Sequence, residues 1–203
     1  EFKNLPTEYS HLYLAIENKL SAVILIEDPL RREAVKTIKK LKKLGISKVV
    51  MMTGDSERTA KAIAKKVGVD EYYSEVLPED KAKFVEKEVD AGRCVIMVGD
   101  GINDSPALSK ADVGIAISNG AQVAREIADI TVDGEDLEQI VTLIKISKKL
   151  MKKIHRNYRE IVGINSALII LGVAGVLPPT TSALLHNTST LAIGLNSMKD
   201  LEI

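Results

Sequence analysis

Apolar residues along this chain fall into two alternating rhythms. Short runs rich in β-branched residues predict strands at Ser21–Ile26 (SAVILI), Lys48–Met52, Tyr72–Glu75, Cys94–Val98 (CVIMV), Val113–Ile117 (VGIAI) and Ile130–Val132. Between them, apolar positions spaced by three and four predict helices. Val35, Ile38, Leu41 and Leu44 share one face of a helix over Arg32–Leu44, closed by Gly45. Further helices are predicted over Ser56–Val67, stopped by Gly68, over Asp80–Ala91, over Ser105–Lys110 and near Gln122–Ile127, and a long one begins near Glu135. Strands separated by helices imply an α/β fold with a parallel, doubly wound sheet, and in such sheets ligands sit at the carboxyl ends of the strands.

The rhythm changes after Arg159, beyond which charge nearly vanishes until Lys199. The 17 residues Ile161–Leu177 (IVGINSALIILGVAGVL) carry no charge and run into Pro178-Pro179, which cannot continue a helix. Their length suits either a short membrane span or a buried core helix. The flank favours the span: Lys145, Lys148, Lys149, Lys152, Lys153, Arg156 and Arg159 form the basic excess expected on the cytoplasmic side. With Thr180–Met198 as its return, the segment predicts a two-helix transmembrane hairpin in contact with lipid. The residues EFKNLPTEYS at the start carry no targeting pattern.

Composition narrows the function classes. The chain has 203 residues, 28 basic and 28 acidic, and is 45% hydrophobic. The apolar fraction excludes disorder, and balanced charge argues against nucleic acid as a partner. A single cysteine, Cys94, excludes an internal disulfide and a paired-thiolate zinc site.

The chemistry-bearing residues stand just beyond predicted strands. Thr53-Gly54-Asp55 follows Lys48–Met52, Gly99-Asp100-Gly101-Ile102-Asn103-Asp104 follows Cys94–Val98, and Leu77-Pro78-Glu79-Asp80-Lys81 opens a helix. Taken singly, each is an ordinary turn or helix start. Together they equip one sheet edge to hold a phosphoryl group beside Mg²⁺. The Thr53 hydroxyl and Gly54 amide can donate to phosphate oxygens, Lys81 supplies positive charge, and Asp100 with Asp104 can ligate a hard cation. Gly99 and Gly101 permit the tight turn between them.

These stretches, MTGD at Met52–Asp55, LPEDK at Leu77–Lys81, VGDGINDSPAL at Val98–Leu108 and ADVGIAI at Ala111–Ile117, resemble the P-type cation-transporting ATPases, whose phosphorylation domain has a haloacid dehalogenase-like (Rossmann-like) fold. Glu27–Arg31 (EDPLR) resembles the hinge between nucleotide-binding and phosphorylation domains. Two hydrophobic segments after the domain point to the heavy-metal branch. The resemblance implies that Thr53 contacts the phosphoryl group, Lys81 neutralises it, Asp100 holds Mg²⁺, Asn103 and Asp104 complete the site, and Asp28 and Arg31 lie near bound ATP. It also implies residues 1–27 as the end of the nucleotide-binding domain, with strands at His11–Ile16 and Ser21–Ile26. Residues 28–144 would be the phosphorylation domain and 145–203 a basic linker helix with two transmembrane helices. The chain would be a multi-pass membrane protein with a cytoplasmic phosphorylation domain.

One departure matters. The family's phosphorylated aspartate lies in Asp-Lys-Thr-Gly, which is absent; Asp80-Lys81-Ala82 belongs to the lysine motif. The resemblance therefore implies the C-terminal portion of a larger pump, inert alone, whose upstream actuator, nucleophile and earlier membrane segments are partners. Two other readings stay open: a membrane-tethered phosphate or Mg²⁺ binding module, and a soluble phosphatase of the same fold.

In Thr180–Met198, ten of 19 residues are polar. On a helix, Ser182, His186, Ser189, Thr190, Asn196 and Ser197 fall within a sector of about 120°, opposite Leu184, Leu191 and Leu195. Such a stripe either lines a cation route or cements helix contacts. His186 can bind a transition-metal cation, and Asn165 in the preceding segment is positioned to face it as an oxygen donor. The last helix departs from the resembled family's copper-type pattern, having no Met-x-x-Ser-Ser, and from its zinc-type pattern, having no acidic residue before Asp200; the HNTST stretch leaves zinc, manganese, cobalt and iron open.

Overall fold

The computed structural model describes residues 9–26, 30–99, 102–117, 126–132 and 136–200. The chain divides into two compact units, Glu1–Val141 and Thr142–Ile203. The first opens with an antiparallel hairpin of β1 (Ser10–Ile16) and β2 (Lys19–Ile26), registered with Ser10 opposite Ile26 and Ile16 opposite Lys19. Glu17 and Asn18 turn the chain with φ of 49° and 59°, the backbone hand that a two-residue hairpin requires.

Helices and strands then alternate. α1 (Ala34–Lys43) leads to β3 (Val50–Met52), α2 (Glu57–Val67) to β4 (Glu71–Tyr73) and α3 (Pro78–Asp90) to β5 (Ile96–Gly99). A 3-10 turn (Ile102–Asp104) and α4 (Ser105–Lys110) lead to β6 (Val113–Ile117), and β7 (Ile130–Val132) follows. The helix expected near Gln122–Ile127 lies mostly outside the described residues. The strand expected at Tyr72–Glu75 stops earlier, because Glu75 turns to φ 52° and leaves the extended conformation.

All described pairings in this region are parallel, but they form two sheets rather than the single one expected. β3 pairs with β4, Val50 opposite Glu71, whereas β5, β6 and β7 pair in that order, Ile96 opposite Val113 and Ile115 opposite Ile130. Hydrogen-bonded strands must lie about 4.8 Å apart, and among the described residues no strand links β3 to β5. Among the described residues β3 and β5 each keep one edge unpaired.

One device recurs at the amino ends of these strands. Asp70, Asp112 and Asp129 each stand one residue ahead of a strand, and each accepts a hydrogen bond from a backbone amide beside it: Val49 N–H, Val95 N–H and Gly114 N–H, all at 2.8 Å. A carboxylate there satisfies an amide that the ladder leaves over. The core lies between α3, α4, β5 and β6, where Val85, Ala107, Leu108, Met97 and Ala116 are buried and Met52 of β3 packs against them. This packing holds the carboxyl end of β5 against the first turns of α3 and α4.

The second unit consists of most of α5 (Glu138–Val173) and all of α6 (Pro179–Ser197). Among the described residues no helix is long and apolar enough to cross a membrane, so the expected transmembrane hairpin is not what the structure displays. The reason is where the first helix ends. Gly175 takes φ 72°, and the Val176 and Leu177 amides turn back to the Leu171 carbonyl, closing the helix before the apolar run finishes. The apolar helical part, 161–173, rises about 20 Å, against a hydrocarbon core of about 30 Å. α6 has 19 residues but is divided between polar and apolar side chains. Both helices expose large apolar groups, including Ile169, Ile170, Val173, Leu184, Leu191 and Leu195.

Candidate functional site

Three segments meet the carboxyl edge of the parallel strands. Pro78 starts α3 with φ already suited to a helix, and this places Lys81 in the first turn, its amide bonded to the Leu77 carbonyl. The 3-10 turn after β5 carries Asp104 to the same place. Lys81 Nζ donates to Asp104 Oδ1 at 2.9 Å, with the two side chains only 15% and 12% exposed. Water screens such a pair weakly, so the two charges hold each other in position far better than a surface pair would.

Gly99 makes this geometry possible. A Cβ on Gly99 would lie 2.5 Å from Asp104 Cβ, 2.9 Å from its Cγ and 3.0 Å from its Oδ2, so any side chain there would displace the carboxylate. Ser105, next in the chain, is buried, and its hydroxyl has no hydrogen-bond partner among the described residues. Asn103 is exposed.

At the end of β3 the chain folds tightly on itself. The Thr53 hydroxyl donates to Asp55 Oδ2 at 2.7 Å, and the Asp55 amide donates back to Thr53 Oγ1 at 3.1 Å. Backbone bonds from Thr53 N–H to Tyr73, from Glu75 N–H to Asp55 and from Val76 N–H to Thr53 fasten this loop to the end of β4. Gly54 is exposed, with open space where a Cβ would stand. Beside the loop lies an open cleft of about 230 Å³ lined by Met52, Tyr73, Ser74, Asp80 and Phe84, with the Tyr73 and Phe84 rings 5.0 Å apart.

The structure thus joins Lys81 to Asp104 and Thr53 to Asp55. Among the described residues no hydrogen bond links the two pairs. Asp28, Asp100 and Gly101 lie outside the described residues. Arg31 sits ahead of α1, its carbonyl accepting the Ala34 amide at 3.1 Å. In the second unit, Asn165 Oδ1 and His186 Nδ1 are 2.8 Å apart. No group of three His, Cys, Asp or Glu side chains among the described residues could hold a metal ion.

Among the described residues the β5 edge offers one carboxylate of the kind Mg²⁺ takes, Asp104, whose Oδ1 is paired with Lys81. Asp104 is a buried carboxylate whose Oδ2 faces the space left by Gly99, and hard oxygen ligands of this kind are what Mg²⁺ takes. Gly99 as the residue that admits Asp104, and Asp70, Asp112 and Asp129 as strand clamps, escaped the sequence reading. An aspartate one residue ahead of successive strands was the available signal.

Comparison with known proteins shows what the chain is similar to. Residues 2–112 match the haloacid dehalogenase-like hydrolase family, and residues 84–144 match a second family of the same description. The chain is 39% identical over 189 residues to a zinc-exporting P-type ATPase of Mycobacterium marinum, covering 93% of this chain and 26% of that protein. It is 41% identical over 196 residues to a copper-exporting P-type ATPase of Staphylococcus epidermidis, covering 94% and 25%. A crystal structure of a zinc-transporting PIB-type ATPase in the E2.Pi state superposes with a TM-score of 0.82 at 31% identity, covering 95% of this chain and 31% of that one. The chain spans about a quarter of the length of the curated relatives it matches. It belongs to the haloacid dehalogenase-like hydrolase family, and its relatives there are heavy-metal P-type ATPases.

Proposed function

We propose that this chain is one portion of an ATP-driven membrane pump for heavy-metal cations, supplying the half of the phosphorylation site that stabilises charge. The observation that carries the proposal is the Lys81–Asp104 pair, held at the carboxyl end of β5 by the space at Gly99. Lys81 would neutralise a phosphoryl oxygen, Thr53 would turn its hydroxyl from Asp55 to another, and the Gly54 amide and Asn103 would position the group. Mg²⁺ held by Asp100 and Asp104 would offset phosphate charge during transfer. Asp28 and Arg31 would border the bound ATP.

Phosphoryl transfer also needs an attacking oxygen in line with the leaving group. We assign it to an aspartate on an upstream strand that fits between the unpaired edges of β3 and β5, completing one sheet. The chain by itself is then inert toward ATP. The upstream actuator, nucleotide-binding and earlier membrane segments would be its partners. Residues 1–27, 28–144 and 145–203 would be the end of the nucleotide-binding domain, the phosphorylation domain, and a basic linker with two membrane helices. Neighbouring helices of the pump and lipid would cover the apolar side chains that α5 and α6 expose, and the catalytic domain would face the cytoplasm. Asn165 and His186 would form part of the route of a transition-metal cation.

Amide hydrogen exchange tests the strand assignment. Joining the upstream segment should strongly protect the amides of Val50–Met52 and Ile96–Gly99. Unchanged exchange at both strands would refute it.

A further inference from the structure

We infer that the paired ends of α5 and α6 form a cationic collar, made of Lys152, Lys153, Arg156, Arg159 and Lys199, that holds the headgroup of an anionic phospholipid. The inference rests on the proposed reading of the two-helix unit as part of a membrane pump, and it names the lipid that the unit selects.

Two contacts build the collar. Asn157 Nδ2 donates to Ser197 Oγ at 2.6 Å, and Lys153 Nζ donates to the Lys199 carbonyl. The chain leaving α6 is thereby fastened beside the basic stretch of α5, and Lys199 joins cations that stand far from it in the sequence. Lys152, Arg156 and Arg159 follow one another at spacings of four and three, so they share one helical face, and all three are exposed. Only two acids stand at this level. Arg156 Nε reaches Glu160 at 3.9 Å, an exposed pair of little strength, and Asp200 follows Lys199. Lys152 and Arg159 have no ion-pair partner among the described residues. Like charges gathered in this way repel one another, and a bound anion offsets that cost.

The adjoining surface decides which anion fits. Charge stops at Glu160, and the next residues, Ile161 and Val162, are exposed, as are Ile169 and Ile170 further along the same helix. A phospholipid meets both parts of this surface, its phosphate against the collar and its acyl chains against the apolar side chains. A free phosphate meets only the first. Lysine and arginine suit the junction, since their stems lie along apolar surface while their heads reach phosphate, which a guanidinium grips with two parallel hydrogen bonds. Reach sets the limit of the site. Lys152 is nine residues from Ile161, about 13 Å along the helix, whereas Lys145 on the same face is sixteen residues away, about 24 Å. A headgroup layer is about 5–7 Å deep and salt screens charge over about 8 Å, so the collar lies within reach of headgroups and Lys145 does not.

Charges that merely orient a segment need no bound lipid, and a lipid titration separates the two roles. The full chain, ¹⁵N-labelled at arginine, is held in micelles of a neutral detergent, and phosphatidylglycerol or phosphatidylcholine is added while the arginine Nε–H signals are followed. Arg156→Gln and Arg159→Gln assign the two signals, and far-UV circular dichroism checks that each variant keeps its helices. Phosphatidylglycerol should shift both signals to saturation, and phosphatidylcholine should leave them in place. Arg159→Gln should weaken the affinity for phosphatidylglycerol about fivefold, and Lys152→Gln with Arg159→Gln about 30-fold. Lys145→Gln, an equal loss of charge on the same face, should leave it unchanged. An equal response to the two lipids overturns the inference and leaves the membrane reading standing. So does displacement of the lipid by inorganic phosphate, which marks a site for free anions, and so does an equal loss with Lys145→Gln, which marks a general attraction to the whole basic stretch. A chain that takes up neither micelle nor lipid overturns the membrane reading and the inference with it.

Discussion

Replacing Gly99 by alanine probes the site through its tightest contact. The added Cβ would stand 2.5 Å from Asp104 Cβ, where ordinary van der Waals contact begins at 3.4 Å. Because the clash is with Cβ itself, rotating the Asp104 side chain does not relieve it, and the backbone of the 3-10 turn must shift. Overpacking of this kind costs about 1–3 kcal/mol. The shift also loosens the 2.9 Å bond to Lys81, which lies largely out of water. Together the two effects should cost about 3 kcal/mol, which at an m-value of about 2 kcal/mol/M lowers the urea midpoint by about 1.5 M. Near-UV circular dichroism, to which four of the five tyrosines contribute from the first unit, reports its melt. Gly54→Ala is the matched control, because nothing lies within 4 Å of its added Cβ, and its midpoint should stay within the scatter of a neutral surface change. A midpoint for Gly99→Ala that matches the Gly54→Ala control would refute the claim that Gly99 admits Asp104.

Two further substitutions test the scaffold around the site. Asp129→Ala leaves the part-buried Gly114 amide without its 2.8 Å acceptor and should destabilise the chain by about 2 kcal/mol in urea, with Asp129→Asn recovering part of the loss. Glu138 accepts from Lys36 at 2.8 Å and Lys40 at 2.6 Å, and these hydrogen bonds hold its carboxyl down from 4.5 to about 2. A depressed carboxyl stabilises the fold fully above its unfolded value and loses that contribution as it is protonated. The melting-temperature gap between wild type and Glu138→Gln should therefore be constant above pH 4.5 and close as pH falls toward 2, and a gap independent of pH would contradict the pairing.

Local features were the most legible in the sequence. Val113–Ile117 and Ser105–Lys110 occupy the predicted positions, because an apolar β-branched run and a Pro-containing helix start are decided within a few residues. The meeting of Lys81 with Asp104 was readable from motifs that stand beyond strand ends. Strand pairing was not, since the break between β3 and β5 depends on which segments are neighbours in space rather than in sequence. Nor was the demand on Gly99, which appears only when the turn brings Asp104 back over β5. At Ile161–Leu177 the helix ends at Val173, before the uncharged run does, because Gly175 turns the chain, and a count of uncharged residues does not see that end. The same segment nevertheless placed Asn165 opposite His186, as the sequence suggested.

The central claim is that these residues stabilise a phosphoryl group whose acceptor lies on another segment. Incubating the purified chain with γ-labelled ATP and Mg²⁺, then quenching in acid and treating with hydroxylamine, tests it directly. The account predicts no hydroxylamine-sensitive label on the chain alone and stoichiometric label once the upstream segment is joined, reduced roughly a thousandfold in rate by Lys81→Ala, the cost of several kcal/mol of uncompensated charge. Stoichiometric labelling of the isolated chain would contradict it, because an acceptor carboxylate would then lie within these 203 residues.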